Sequence, residues 1–99
     1  MKPRIFIPEQ EFAEICHRYY VRRLSLFGSV LREDFGPGSD VDILVDFEPD
    51  APVGFITLSR MARELSELLG RPVDLVPRSG LKPLIREAVL CEEQVIYEA

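Results

Sequence analysis

The sequence predicts an α/β fold of the α+β type, in which a small mixed β-sheet is flanked by helices. Segments whose apolar residues recur every three or four positions alternate with short segments whose apolar residues recur every second position. Helices and strands that alternate in this way form layered structures around a sheet. The 99 residues include 46% hydrophobic and 29% charged residues, without internal repeats, which favours a single folded domain over residues 1–99.

The composition also argues against several classes of protein. The net charge of −5 disfavours a nucleic-acid duplex as the main partner, because duplexes attract basic surfaces. The apolar stretches are far shorter than the ~20 residues of a membrane span, and the N-terminus lacks the apolar core of a signal peptide. Cys16 and Cys91 form no CxxC pair. We therefore expect a cytoplasmic protein with reduced thiols and no membrane partner.

A first helix is predicted to begin at residues 8–9, since proline and acidic residues are favoured in the first helical turn. The helix is expected to end at the arginine pair of residues 22–23, before a strand over residues 24–27 that runs into Gly28. Its apolar face recurs at i, i+3, i+4 and i+7 and consists of Phe12, Ile15, Cys16 and Tyr19.

The following segment is predicted to contain a loop and a second strand. Residues 29–34 have room for one helical turn, and residues 35–39 are predicted to be a loop because they contain two glycines and a proline. Residues 40–47 alternate as a strand does. One side of this strand carries Val41, Ile43, Val45 and Phe47, and the other carries Asp40, Asp42, Leu44 and Asp46.

The second half of the chain predicts two helices and a buried strand. The clearest helix ends at Gly70, and residues 73–76 form a short strand that is expected to be buried on both faces apart from Asp74. Residues 95–97 fit either a terminal strand or a docked helical end. The helix that ends at Gly70 has the apolar face Leu58, Met61, Ala62, Leu65, Leu68 and Leu69. The last helix has the apolar face Leu81, Leu84, Ile85, Ala88 and Val89.

Asp40 and Asp42 lie on one face of the second predicted strand, with roughly 6–7 Å between their α-carbons. Mg²⁺ suits such a pair, because it binds one or two carboxylates together with substrate phosphates. Asp74 joins them if its strand pairs beside theirs, and a carboxylate between Val73 and Leu75 is costly unless it is paired or metal-bound. We therefore predict that these three aspartates are catalytic residues and ligands of two Mg²⁺ ions, with Asp74 also a candidate proton acceptor.

Gly28, Ser29 and Arg32 are the candidate nucleotide-binding residues. Gly28 has no Cβ, so the backbone can approach a phosphate, and Ser29 can donate from its hydroxyl and its N–H at a helix start. Arg32 can reach either the triphosphate or a partner surface. A Gly-Ser turn or an Asp-x-Asp pair alone is common, but the combination indicates transfer of a nucleotide from a triphosphate to an acceptor.

The remaining polar residues are expected to have no chemical role. Asp46 and Glu48 extend the acidic row and are expected to be solvated, and His17 is expected at the surface. Lys82 and Arg86, four residues apart, form a small basic face that is expected to be solvated, with a partner contact as the alternative.

Three segments resemble the minimal nucleotidyltransferase (MNT) family of the DNA polymerase beta-like superfamily. They are residues 26–32 (LFGSVLR), 38–45 (GSDVDILV) and 70–76 (GRPVDLV), and the resemblance extends from residue 23 to the C-terminus. It implies the polymerase beta-like fold, with Asp40, Asp42 and Asp74 as the Mg²⁺ triad. It also implies that Gly28 and Ser29 hold the triphosphate.

Members of this family commonly act as antitoxins beside a helical HEPN-domain toxin, which is a ribonuclease. The resemblance implies that this chain forms a hetero-oligomer with such a toxin and transfers AMP from ATP to a tyrosine hydroxyl of it. In two respects the chain is expected to depart from its relatives. Glu33 stands where many of them have glycine, and the base-gripping domain of larger nucleotidyltransferases is expected to be missing.

Two other functions stay open at this point. The chain can be a non-catalytic antitoxin that neutralises its toxin by binding and occlusion, or it can modify a small hydroxylated molecule such as an aminoglycoside. The acidic trio favours the enzyme, because clustered carboxylates repel one another without a cation.

Overall fold

The structure is a computed structural model that describes residues 7–28, 40–51 and 53–99. These ranges contain three α-helices and four β-strands, and a short 3-10 turn, Arg78–Gly80, precedes the last helix. The elements are α1 (Glu9–Arg18), β1 (Val21–Phe27), β2 (Val41–Phe47), α2 (Phe55–Leu69), β3 (Val73–Pro77), α3 (Pro83–Glu92) and β4 (Gln94–Glu98).

The four described strands form one mixed sheet in the order β3-β2-β1-β4. β1 pairs antiparallel with β2 and with β4, so that Arg23 lies opposite Glu98. β2 and β3 are parallel. Parallel neighbours need a crossover connection, and α2 provides it.

Helices cover both faces of this sheet. On one face α1 and α2 bury apolar side chains such as Phe12, Met61 and Leu65 against alternate residues of β2, among them Ile43. On the other face Leu44 and Phe27 pack with Val89 of α3 and with Leu81 just before it. Successive residues of β2 therefore face different layers, as the predicted period of two requires.

The mixed α/β fold and most of its predicted elements are confirmed. The four residues of the predicted α1 face are all buried. Gly70 ends α2 in the left-handed conformation, with φ of +68°, and its N–H donates to the Ser66 carbonyl at 2.9 Å, as expected of a glycine stop. The ambiguous C-terminal segment is strand β4.

The predicted end of the first helix is wrong. α1 ends at Arg18, and the two arginines expected to terminate it belong to β1, which begins at Val21 instead of residue 24. Tyr20 is the reason, since its φ of 60° is incompatible with continued right-handed helix. The helical turn and loop expected over residues 29–39 lie outside the described residues.

The predicted apolar face of α3 is also largely wrong. Leu84 is 98% exposed, and Ile85 and Ala88 are exposed as well. Contact with the sheet is made by Val89 and by Leu81, which precedes the helix. The expected stripe is therefore split between the core and the surface.

A polar cluster ties α1 to α2 outside the apolar core. The Arg18 guanidinium and the Tyr19 hydroxyl both donate hydrogen bonds to the Glu64 carboxylate. The Tyr19 bond is the main cause that lowers the pKa of Glu64 below its ordinary range. None of the helices in the described ranges combines the length and apolar character that a membrane crossing requires.

Candidate active site

The sheet brings the predicted acidic residues to the same end of two adjacent strands. In the parallel register of β2 and β3, Asp42 lies directly opposite Asp74, and neighbouring strands are about 4.8 Å apart. Asp40 immediately precedes β2, two positions before Asp42, so an extended backbone directs both to one face. This is the face that also carries Leu44 and α3.

Hydrogen bonds fix the starts of both strands that carry these acids. The Val41 N–H donates to the Pro72 carbonyl at 2.9 Å, and the Val73 N–H donates to Ser66 Oγ at 3.0 Å. The Ser66 hydroxyl in turn donates to the Ala62 carbonyl at 2.8 Å. Ser66 of α2 thereby holds the backbone just before Asp74, a role that its place next to the apolar stripe of α2 did not predict.

Gly28 closes the site from the side of β1. Its φ is +74°, and a Cβ built there would lie 2.4 Å from Asp42 Oδ2 and 3.3 Å from Asp42 Cγ. The Asp42 carboxylate therefore occupies the space where any other residue would begin its side chain. Gly28 is thus placed beside the acids, whereas Ser29 and Arg32 lie outside the described residues.

The expected desolvation of the Asp74 carboxylate is wrong, and so is the burial expected on both faces of the strand around it, since Val73 and Val76 are only half-buried. β3 is an edge strand of the described sheet, and Asp74 is exposed, although Leu75 beside it is buried. A short strand with the sequence VDLV resembles a central strand because apolar residues flank its single acid. The desolvation argument for a metal at Asp74 therefore fails, and its place opposite Asp42 is what now supports a functional role.

Asp46 is likewise not the solvated residue that its place in the acidic row predicts. Arg78 Nε donates to Asp46 Oδ2 at 2.7 Å, and the Arg78 Nη atoms bind both carboxylate oxygens of Glu93 at 2.9 and 3.2 Å. Burial raises the pKa of Glu93, but the Arg78 hydrogen bonds, together with Ser25 and the charges of Arg78 and Arg23, outweigh it and the net pKa is lowered. These residues, which we call the Arg78 cluster, join β2 to the end of α3.

The other polar predictions are confirmed. Glu48, His17, Lys82 and Arg86 are all exposed. The His17 ring makes an edge contact with Tyr97, at 6.3 Å between ring centroids.

The donor set at the site fits a hard divalent cation in its chemistry. Three carboxylates leave the same face at one end of two strands, and carboxylate oxygens are the ligands that Mg²⁺ prefers. Within the part of the chain that the structure describes, no three His, Cys, Asp or Glu side chains form a ready-made metal site. Since the backbones are already in register, side-chain rotation is the movement by which Asp40, Asp42 and Asp74 would share an ion.

Comparison with known proteins identifies the family to which the chain belongs. Residues 9–96 match the family described as nucleotidyltransferase domain. Protein adenylyltransferase MntA of Thermococcus cleftensis is 43% identical over 84 residues, which cover 85% of this chain and 81% of that protein. A solved structure provisionally described as a minimal nucleotidyltransferase is 36% identical, with a TM-score of 0.72, over 87% of this chain and 86% of the other.

A more distant structure shares the fold. It is the complex of a tri-AMPylated HEPN toxin with an MNT antitoxin from Shewanella oneidensis, and its match is 20% identical with a TM-score of 0.67 over 92% of this chain and 70% of the other. The match over residues 9–96 covers most of the sequence. On this evidence the chain belongs to the nucleotidyltransferase domain family, among the minimal nucleotidyltransferases.

Proposed function

We propose that this nucleotidyltransferase is a Mg²⁺-dependent protein adenylyltransferase that acts as the antitoxin of a HEPN toxin in the cytoplasm. Its substrates are ATP and a hydroxyl of the toxin, with tyrosine as the acceptor. The observation that carries the proposal is the register of Asp42 opposite Asp74, with Gly28 against Asp42. The 43% identical relative named as a protein adenylyltransferase supports the choice of reaction.

The acidic residues have distinct roles in this proposal. Asp40 and Asp42 hold the cation together with the phosphates, and Asp74 completes the ligand set. When bound, Mg²⁺ stabilises negative charge on the attacking and leaving oxygens. Asp74 is exposed, so an acceptor hydroxyl can approach it from solvent and give up its proton there.

The reaction that these roles serve is a substitution at phosphorus. The acceptor oxygen bonds to the α-phosphorus of ATP, and the bond from that phosphorus to the oxygen bridging the β-phosphate breaks. Pyrophosphate leaves with the electron pair. Gly28, Ser29 and Arg32 are proposed to hold the triphosphate, since a glycine, a hydroxyl and a guanidinium suit phosphate oxygens.

The test is transfer of label from ATP labelled at the α-phosphate to a HEPN toxin, taken from the neighbouring gene where that gene encodes one, with Mg²⁺ present. We expect the Asp40→Ala and Asp42→Ala double variant to lose at least about 100-fold in rate. Asp50→Ala is the matched control, because Asp50 is an exposed residue in the turn after β2. Label transfer by the double variant at the wild-type rate would reject this site, and peptide mapping identifies the acceptor residue.

Occlusion without catalysis is the second candidate function. The exposed apolar side chains Leu84, Ile85 and Leu90 on α3 favour a protein that binds a partner. The double variant separates the two functions in cells that express the toxin. Rescue by the variant supports occlusion, whereas loss of rescue with toxin binding retained supports catalysis.

A further inference from the structure

The contact between Gly28 and Asp42 has a consequence beyond the approach of a phosphate. We propose that Gly28 is a positioning residue for the Asp42 carboxylate, and that its missing side chain sets the orientation in which Asp42 meets a divalent cation. This inference rests on the proposed role of Asp42 as a cation ligand. It assigns to Gly28 a task that is independent of the nucleotide.

The argument begins with the space at the end of β1. A Cβ at Gly28 would lie 2.4 Å from Asp42 Oδ2, which is about 1 Å inside ordinary van der Waals contact. Asp42 is paired on both sides near the start of β2, opposite Phe27 of β1 and Asp74 of β3. Its backbone is therefore fixed, and the carboxylate is the part that has to turn away.

The backbone of Gly28 imposes a second, separate requirement for glycine. Its φ of +74° lies in the left-handed region, which disfavours any residue with a Cβ. Loss of stability in a Gly28 variant alone would therefore not identify the contact with Asp42. The chain offers a matched control in Gly70, which has φ of +68° but no heavy atom within 4 Å of a built Cβ.

The first test is a stability cycle on Gly28→Ala, Gly70→Ala and Asp42→Ala. We expect Gly70→Ala to lower Tm by about 4–8 °C, through backbone strain alone. Gly28→Ala should lower Tm further than this in the wild-type background. In the Asp42→Ala background the two glycine variants should have equal effects, because the carboxylate that meets the new methyl group is gone. An unchanged effect of Gly28→Ala in that background would overturn the contact.

The second test is binding of Mn²⁺ followed by electron paramagnetic resonance, without nucleotide. Gly28→Ala should weaken Mn²⁺ binding about 10–100-fold, as changes beside metal ligands do, and Gly70→Ala should bind as the wild type does. If Gly28→Ala keeps wild-type Mn²⁺ affinity and loses only ATP affinity, Gly28 serves the phosphate and the inference is wrong. If the wild type binds no Mn²⁺ without nucleotide, Gly28 has no positioning role that is independent of the nucleotide and the inference is wrong, whereas the proposed function, in which the phosphates complete the ligand set, is tested separately by label transfer.

Discussion

Burial gives the two cysteines of this chain opposite properties. Cys16 is fully buried in α1, and burial raises the pKa of its thiol to about 12. Cys91 is exposed near the end of α3. Because the thiolate is the reactive form of cysteine, the structure separates an inert thiol from an accessible one.

A thiol reagent such as Ellman's reagent is therefore expected to label one cysteine of the native protein. The reaction with Cys91 should be complete within minutes, and Cys16 should react only when denaturant unfolds the chain. Cys91→Ser should abolish labelling of the native protein, and Cys16→Ser should leave it unchanged. Rapid labelling of native Cys91→Ser would contradict the burial of Cys16.

Single residues also show where sequence patterns lose their value. Asp42 and Asp46 occupy equivalent alternate positions of β2, yet one lies at the candidate site and the other is bound by Arg78. The alternation predicts the face of the sheet but not what lies above each position. The partner, Arg78, is 32 residues away in sequence, and no local pattern connects the two.

At the scale of elements, α3 demonstrates the limits of helical periodicity. Leu81 and Leu84 are three residues apart and both belong to the predicted apolar face, but Leu81 is 7% exposed and Leu84 is 98% exposed. The helix begins only at Pro83, so Leu81 lies outside the helix and does not share its period. The predicted apolar face applies one helical period both to the residues before Pro83 and to the helix itself, although only the helix has that period.

Leu81→Ala and Leu84→Ala are expected to differ in the free energy of unfolding measured by urea denaturation. Leu81→Ala should cost about 2–3 kcal/mol, because it removes buried methyl groups between α3 and the sheet. Leu84→Ala should change the free energy of unfolding by less than about 0.5 kcal/mol. Equal losses for the two variants would place Leu84 in the core and contradict the observed helix orientation.

The strands were more predictable than the helix faces. The alternating residues of β2 pack into two different layers, because a strand's period of two leaves one choice of side. The pairing of β3 with β2 is only a condition of the predicted site, which the structure fulfils, and the exposure of β3 is not predicted. A four-residue apolar segment such as residues 73–76 can form a central strand or an edge strand. Which of the two it forms depends on whether a second strand pairs with it, and the segment's own sequence does not specify that.

At the scale of the whole molecule, the Arg78 cluster connects parts of the chain that are distant in sequence. Asp46 belongs to β2, Arg78 follows β3, and Glu93 follows α3. The Glu93 side chain is 11% exposed, so its charge depends on the arginine. Arg78 therefore contributes to holding the C-terminal helix on the sheet.

Arg78→Met is expected to lower the free energy of unfolding at pH 7 by about 2 kcal/mol, since charged hydrogen bonds to two carboxylates are lost. Arg86→Met, a change of an exposed arginine on α3, is the control and should have little effect. The pH dependence should also change. Arg78 depresses the pKa of Glu93 in the folded state, so this stabilisation is complete above the unfolded-state pKa of about 4.3. It is lost as the pH falls through the folded value.

Urea denaturation between about pH 6 and pH 3, the range in which glutamates titrate, measures how the free energy of unfolding changes with pH. The wild type should lose stability on acidification, and Arg78→Met should lose less because its Glu93 is no longer held below its ordinary pKa. If Arg78→Met loses as much stability on acidification as the wild type does, the pH dependence comes from other carboxylates, among them Glu64, whose pKa is also lowered.

The pairing of β1 with β4 brings residue 23 opposite residue 98, and it determines when the sheet can be completed. A loop of that length is closed at a considerable entropic cost, and hydrogen bonds are gained only after closure. The parallel pair β2–β3 adds a second long-range step. Assembly is therefore dominated by distant contacts, which slow folding relative to helical domains of equal size, and β1 keeps an open hydrogen-bonding edge until the last strand arrives.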